Sequence, residues 1–280
     1  MEEKKYVSCD INSKSLDKVI ALLSKAGPYE ADELKAASAN GITGWWYGTF
    51  CDEQLVAVAR IDEHLVQLYA HEADAMVALG RSLAHGQAKT GNSKQHQIFG
   101  PDDIVLAFWQ GFKSTNKEVV ADVKLNLCRL SAVQCKQNDA YTERQAIKKD
   151  LPLVIEFLGE ALIDELGMDL RRVGRESLEK MCTAWISEGM IRIGSHRGKP
   201  AFVLKYSEQD GVAMIEQAFF PVAMRRPKVM RGILARVCET LLNECPSVMY
   251  YLDTTKEDMA AAIAEVGFEK IGAARMMRLR

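Results

Sequence analysis

The sequence predicts an α+β fold built as two similar halves, each a mixed sheet flanked by helices. Three observations point there. The chain has 280 residues, more than the roughly 150 of a typical single domain. Hydrophobic residues make up 48% and charged residues 26%, an ordinary globular composition with ample apolar surface to offset chain entropy. Finally, the order of helical and strand patterns in the first half recurs in the second. Such a match points to a structural duplication even where the residues themselves differ. The polar runs Lys113–Lys117 and Lys136–Asp139 mark the region of the split, and the expected domains are residues 1–123 and 124–280.

In the first half, Leu16, Val19, Ile20, Leu22 and Leu23 recur at helical spacing within residues 14–26. Residues 30–39, with Glu and Ala as good formers, predict a second helix. The aromatic run Gly44–Phe50 reads as a strand, Asp52-Glu53 as a turn, Leu55–Ile61 as the returning strand and Leu65–Tyr69 as a third. A helix over 72–84, a short strand His96–Phe99 and a helix Asp102–Gly111 behind Pro101 complete the half. The second half opens with a strand Lys124–Val133 and helices over 150–166 and 175–188, followed by Gly167 and Gly189 as plausible terminators. Strands Met190–Gly194 and Ala201–Tyr206 flank the turn His196–Lys199, and Val212–Phe220 is a third strand. A long amphipathic helix spans 228–243 through Met230, Ile233, Leu234, Val237 and Leu241. A strand Val248–Leu252, a helix over 257–265 and a last strand from Phe268 follow.

Charge and composition exclude several classes. The 36 basic and 38 acidic side chains leave a net charge of −2, which argues against a strongly basic nucleic-acid binder. No apolar run reaches the roughly 18 residues of a membrane span. Met1–Lys5 leads into no apolar signal segment, so a cytoplasmic protein is expected. The seven cysteines are odd in number, with no pair at the two-residue spacing of zinc or redox sites, and read as reduced core thiols. The five histidines form no close metal-ligand pattern, and no metal is expected.

One stretch stands apart electrostatically. The strand Ile215–Phe220 runs through Pro221–Pro227 into a helix, and between Gln217 and Cys238 lie five basic residues (Arg225, Arg226, Lys228, Arg231, Arg236) and no acidic one. A helix N-terminus presents unpaired N–H groups and the positive end of a dipole. The stretch therefore reads either as a phosphate or pyrophosphate cradle or as a solvated basic loop. The strand-to-helix junction of the first half, Leu68–Asp74, is acidic and has no glycine, so that half is expected to bind no cofactor.

At these residues the second half resembles the GNAT superfamily of acetyltransferases. The resemblance covers element order over roughly 124–280, with Pro221 and Arg225 in register with the family's strand-loop-helix motif. Tyr250-Tyr251-Leu252-Asp253 through Gly267-Phe268-Glu269 matches its later strand-helix pattern. Asp164–Asp169, Arg197–Pro200, and Ile98–Pro101 with Phe108-Trp109 look like a subgroup with a degenerate first GNAT-like half and an acetyl-CoA-binding second half. The resemblance implies tandem GNAT-like halves with mixed, mostly antiparallel sheets. It also implies acetyl-CoA as co-substrate, its pyrophosphate held around Arg225, Arg226, Lys228, Val229, Met230 and Arg231, and its pantetheine amides paired with the backbone of Ala218 and Phe220. The sequence departs from the motif at Lys228 and Met230, where small residues are usual, at Pro227, which lacks a donor N–H, at Lys256 in place of Asn, and at Ile263 in place of the usual proton-donating Tyr. Extra cationic side chains can substitute for lost backbone contacts to phosphate.

An amine must lose its proton before it attacks a thioester, and a strand carboxylate can serve as base. Glu216 is the acidic residue on the strand lining the cleft, and simple alternation places it on the face of Ala218 and Phe220. It reads either as that base or as a salt-bridged carboxylate. Tyr251, with Tyr250 beside it, is the candidate replacement for the missing tyrosine, or an ordinary strand aromatic. The expected function is N-acetyl transfer from acetyl-CoA to an amine of a small molecule or peptide, with no nucleic-acid or membrane partner and with a homodimer left open. The alternative is a catalytically inactive GNAT-fold binding or regulatory protein. A nucleic-acid binder using the Arg225–Arg236 face is a third and weaker class.

Overall fold

Strands and helices form where the apolar periodicities place them, and two edge strands form where no periodicity does. The computed structural model describes residues 5–26, 34, 45–61, 65–90, 97–113, 117–136, 140–166, 174–209 and 211–280. It divides into two compact units, Met1–Leu125 with Gly272–Arg280, and Asn126–Ile271. Residues 272–280, which follow the second half in sequence, thus pack with the first.

The first unit contains β1 (Tyr6–Ile11), a 3-10 turn Ser13–Ser15, α1 (Leu16–Leu23), β2 (Trp45–Cys51), β3 (Gln54–Ile61), β4 (Leu65–Ala70), α2 (Ala73–Thr90), β5 (Gln97–Pro101), α3 (Asp102–Phe112) and the start of β6 (Val119–Leu130). The helix expected over 30–39 falls outside the described residues except at Leu34, which is helical and buried. The helix expected over 14–26 is shorter because Asn12 caps a 3-10 turn first, its Oδ1 accepting the Lys14 N–H at 3.0 Å. Asp52 and Glu53 take φ of 48° and 66°, the paired left-handed geometry of a tight hairpin turn. Strand order is β1-β2-β3-β4-β5-β12-β6, with β12 being Glu269–Leu279. β4 and β5 run parallel, whereas the β1–β2, β2–β3, β3–β4 and β5–β12 pairs are antiparallel. Leu68, Ile98, Phe108, Phe112 and Met277 fill the core on one face. Val19, Leu22, Leu23, Leu34, Trp46 and Val58 fill the core on the other. Arg275 of β12 is buried and clamps this unit, bonding Asp102 at 2.5 Å and both oxygens of Asp122 at 2.7 and 2.6 Å.

The second unit repeats the layout. It contains β7 (Tyr141–Gln145), a 3-10 turn Lys148–Asp150, α4 (Leu151–Leu166), α5 (Arg175–Ser187), β8 (Ile191–His196), β9 (Lys199–Gln209), β10 (Val212–Phe219), α6 (Pro227–Glu244), β11 (Ser247–Asp253) and α7 (Glu257–Val266). Strand order is β6-β11-β10-β9-β8-β7, with β10 and β11 parallel and the pairs from β10 outward antiparallel. The apolar stripe of α6, including Ile233, Leu234, Val237 and Leu241, joins α7 over one face. Val154, Leu158, Leu178 and Cys182 of α4 and α5 cover Ile191, Ile193, Val203 and Phe219 on the other. Gly189 follows α5 with φ of 76°, as its position predicts, while Gly167 lies outside the described residues. Cys128, Cys182, Cys238 and Cys245 are buried free thiols, Cys51 and Cys135 are half-buried, and Cys9 is exposed. Burial pushes the Cys182 thiol up to about 11 and raises that of Cys238 as well, so both stay protonated. Among the described residues no cluster of three or more metal-ligating side chains occurs, and no helix is long and apolar enough to cross a membrane.

Candidate functional site

The second unit opens where its two parallel strands stop pairing. The β10–β11 ladder runs from Val212↔Ser247 to Ile215↔Tyr250 and ends there, although β10 continues to Phe219 and β11 to Asp253. The cause lies on the other side of β10, where its register with β9 shifts between Ile215 and Gln217. A bulge of this kind bends its strand and raises the local twist, so the end of β10 swings away from β11. The edge of Gln217–Phe219 that faces β11 is left outside the ladder.

A cavity of about 310 Å³ occupies this fork, lined by Ala218, Phe219, Phe220, Arg225, Met230, Tyr250, Thr255, Lys256, Glu257, Asp258 and Met259. Its walls are the end of β10, Tyr250 of β11, the first turn of α6 and the start of α7. Such a volume lies at the small end of ligand sites. Arg225 is fixed in place, its Nε donating to the Phe220 carbonyl at 2.9 Å and its guanidinium lying 5.5 Å from the Phe219 ring centre. On the α7 side, Asp253 Oδ1 accepts both the N–H and the hydroxyl of Thr255 at 2.8 Å. This turn presents Lys256, Glu257 and Asp258 at the head of the helix, where the two acids suit the positive end of its dipole.

Of the residues singled out from sequence, Ala218, Phe220, Arg225 and Met230 meet in this cavity. Arg226 is the N-cap residue of α6, and Pro227 is its first residue. Lys228 is exposed and Val229 is buried in the same turn. The N–H groups of Val229 and Met230 both bond the Arg226 carbonyl at 2.9 Å and are committed within the turn. Arg231 pairs with Glu265 of α7. Glu216 pairs with Lys205 of β9. The bulge corrects the alternation expected for Glu216, because Ile215, Ala218 and Phe220 all pack on the α6–α7 side while Glu216 meets Lys205 beside Trp185 of α5. Tyr250 packs in the α6–α7 core and walls the cavity, and Tyr251, next along the strand, alternates to the opposite face. Sequence reasoning missed Thr255, Glu257, Asp258 and Met259. The available signal was Asp253 two residues before a threonine at a strand-to-helix junction, a pattern that favours a side-chain-capped turn.

Comparison with known proteins agrees with the fold. The chain matches a GNAT-family acetyltransferase from Colwellia psychrerythraea over 98% of its length and 100% of that chain, with a TM-score of 0.61 at 13% identity. A GCN5-related N-acetyltransferase from Sphaerobacter thermophilus aligns over 98% of this chain and 95% of its own with a TM-score of 0.69 at 11% identity. A tandem GNAT protein from the clavulanic acid biosynthesis pathway aligns over 98% of both chains with a TM-score of 0.59 at 14% identity. No protein-family model matches the sequence, and no curated protein does. The chain therefore has the GNAT acyl-CoA N-acyltransferase fold, and identities this low carry the fold alone.

Proposed function

We propose that the second unit binds acetyl-CoA in the fork between β10 and β11 and transfers the acetyl group to an amine of a small molecule or peptide. The observation that carries this reading is the fork itself, a bulge-bent strand end beside a cavity of mixed apolar and charged lining with Arg225 held at its rim. Acetyl-CoA supplies an acetyl group activated as a thioester. The strand edge at Ala218 and Phe220 offers backbone groups to an amide-bearing arm, and Met230, Tyr250 and Met259 exclude water around it. Arg225, Arg226 and Lys228 supply cationic side chains for the pyrophosphate, a role that falls to them because Pro227 and the internally bonded Val229 N–H withhold backbone donors. Glu216, exposed at the bulge outside the cavity lining and paired with Lys205, is the carboxylate we assign to take the proton of the acceptor amine. Tyr250 takes over from Tyr251 as the proton donor to the departing sulfur, because it is the tyrosine in the cavity wall.

A second reading, an inactive fold member that binds or regulates, is favoured by the committed first turn of α6 and by Glu257 and Asp258 at the cavity, both adverse to a polyanion. Calorimetric titration with acetyl-CoA and with CoA separates the readings. Binding followed by turnover of an amine panel supports transfer, and binding without turnover supports the inactive fold. No binding at millimolar ligand removes the site. Arg225→Ala should weaken CoA binding about tenfold or more, and an unchanged affinity would remove Arg225 from the site.

A further inference from the structure

The end of the second unit that holds the fork also carries an exposed cationic face. β9 and β10 run antiparallel with Phe219 opposite Val203, and the Phe202 and Phe220 ring centres lie 4.3 Å apart. The hairpin His196–Lys199 that leads into β9 therefore sits beside Pro221–Met224, the approach to α6. Tyr141 fastens this hairpin to α6 itself. It is the Cα partner of His196 and stacks on that ring at 5.1 Å. Its hydroxyl donates to the Lys228 carbonyl at 3.2 Å, and Gly232 of α6 leaves room for its ring, which a Cβ there would strike. Arg197, Lys199, Arg226 and Lys228 are exposed on these segments and enter no ion pair among the described residues. Neither His196–Ser207 nor Gln217–Cys238 contains an acidic residue. Next to Arg226 in the approach, Val222 is 78% exposed, more than any other large apolar side chain among the described residues, with Ala223 and Pro227 exposed beside it. An apolar centre within a charged rim is the anatomy of a protein-docking patch, and its sign selects an acidic partner.

We infer that this face docks an acidic carrier protein, one that bears its acyl group as a thioester on a phosphopantetheine arm, and that the arm enters the fork. The inference rests on the transferase reading above and names what the arm hangs from. In that reading Arg226 and Lys228 meet the arm's phosphate, so whatever the phosphate is attached to lies against Arg197, Lys199 and Val222. Coenzyme A brings a pyrophosphate and a phosphate monoester, whereas a carrier-borne arm brings one phosphodiester. The first turn of α6 suits the smaller charge. Pro227 has no N–H, and the N–H groups of Val229 and Met230 are both bonded to the Arg226 carbonyl. Glu257 and Asp258 in the cavity wall likewise repel a polyanion more than a monoanion. The attraction that the turn withholds from a pyrophosphate is supplied outside the cavity, between the carrier's acidic surface and the four exposed cations. Acetyl-CoA, the same arm on a smaller anion, remains the weaker donor. In the reaction the amine nitrogen bonds the acyl carbon and the C–S bond breaks. One amine proton is lost to the base, and the carrier's arm leaves as a thiol after its sulfur takes a proton.

The test titrates the full chain by calorimetry with acetyl-CoA and with an acidic acyl carrier protein, the carrier both in its apo form and loaded with an acetylated phosphopantetheine arm. The loaded carrier should bind at least about tenfold more tightly than either acetyl-CoA or the apo carrier, because arm and surface then act together. Arg197→Ala combined with Lys199→Ala should weaken the loaded carrier about tenfold and leave acetyl-CoA affinity unchanged, and Val222→Asp should do the same. A loaded carrier that binds no more tightly than acetyl-CoA, or than its own apo form, overturns the inference and leaves the transferase reading standing. So do variants that weaken both ligands alike, or neither. Single-stranded RNA or phosphatidylserine vesicles binding more tightly than the loaded carrier would assign the face to another partner and overturn it too. If neither acetyl-CoA nor the loaded carrier binds, the fork holds no thioester, and the transferase reading ends together with this inference.

Discussion

Both parallel ladders stop before their strands end, β4–β5 at Gln67↔Phe99 and β10–β11 at Ile215↔Tyr250, but beyond that point Gly100 still lies against Leu68 in the first unit, whereas a cavity lies beside Ala218 and Tyr250 in the second. The difference is local. A Cβ on Gly100 of β5 would sit 2.7 Å from the Leu68 carbonyl, so the absence of a side chain lets the first pair remain closed. The helices behind that pair also meet backbone to backbone, Gly80 against Phe108 and Gly111 against Val77. At the head of α2 the chain reads His71-Glu72-Ala73-Asp74, with Tyr6 donating to Glu72 at 2.9 Å. The second unit has a bulge in place of the close contact, and Arg225 and Lys228 in place of acids. One element order thus carries a close backbone contact beside one parallel pair and a cavity beside the other, and the second pair has a bulge and a basic approach to the helix where the first has neither.

Removing the clamp in the first unit should have the largest effect. Arg275 is 5% exposed and neutralises two carboxylates that are themselves 34% and 43% exposed, so water takes up part of the loss and removing the guanidinium costs about 1.5–3 kcal/mol. Arg275→Met should lower the first unit's melting transition by that amount in denaturant titrations, and a loss below about 1 kcal/mol would show that the clamp is peripheral. Next comes a reciprocal pair of substitutions. Gly100→Ala should cost about 1–3 kcal/mol of stability through overpacking and leave acetyl-CoA affinity unchanged. Ala218→Leu, which fills the fork, should lose about tenfold to a hundredfold in that affinity, roughly 1.4–2.7 kcal/mol. Equal effects of the two on binding would dissolve the contrast between closed and open strand pairs.

The smallest expected effect concerns acid. Arg144 bonds both oxygens of Asp150 at 2.6 and 2.8 Å, and the Ile147 N–H adds a third bond at 2.9 Å. Together they hold the Asp150 carboxyl at about 2, below its ordinary 3.8. A carboxyl depressed in the folded state contributes stability in full above about pH 4, and that contribution is lost as the pH falls through about 2. The matching turn of the first unit is capped by neutral Asn12 and lacks this dependence. Asp150→Asn should cost about 1 kcal/mol at pH 7 and flatten the acid limb of a pH-stability curve. An unchanged limb would assign acid sensitivity elsewhere.

Much of this layout was legible in the sequence. Amphipathic spacing marked α6 through Met230, Ile233, Leu234, Val237 and Leu241, and the acid-free stretch marked its approach. Edge strands were not legible. β1 and β7 each pair on one side only, and Tyr141-Thr142-Glu143-Arg144-Gln145 has no apolar alternation to announce it. The side of the sheet taken by Glu216 was also hidden, because a bulge is a relation between β10 and β9 and leaves no mark on β10 alone. Three lining residues at the start of α7, Glu257, Asp258 and Met259, escaped for a related reason, since they reach the cavity only through tertiary packing.

The strand β12 supplies Arg275, Met277 and Leu279 to the first unit, and this has a consequence for the order in which the protein is made. A nascent chain emerges from its N-terminus, and domains generally fold as they emerge. Here the first unit cannot close its sheet until residues 272–280 have left the ribosome. Until then the gap beside β5 is an unfilled strand position on an apolar core, exposed to other chains. The second unit, although translated later, has its β7–β11 ladder and its fork complete before the first unit does.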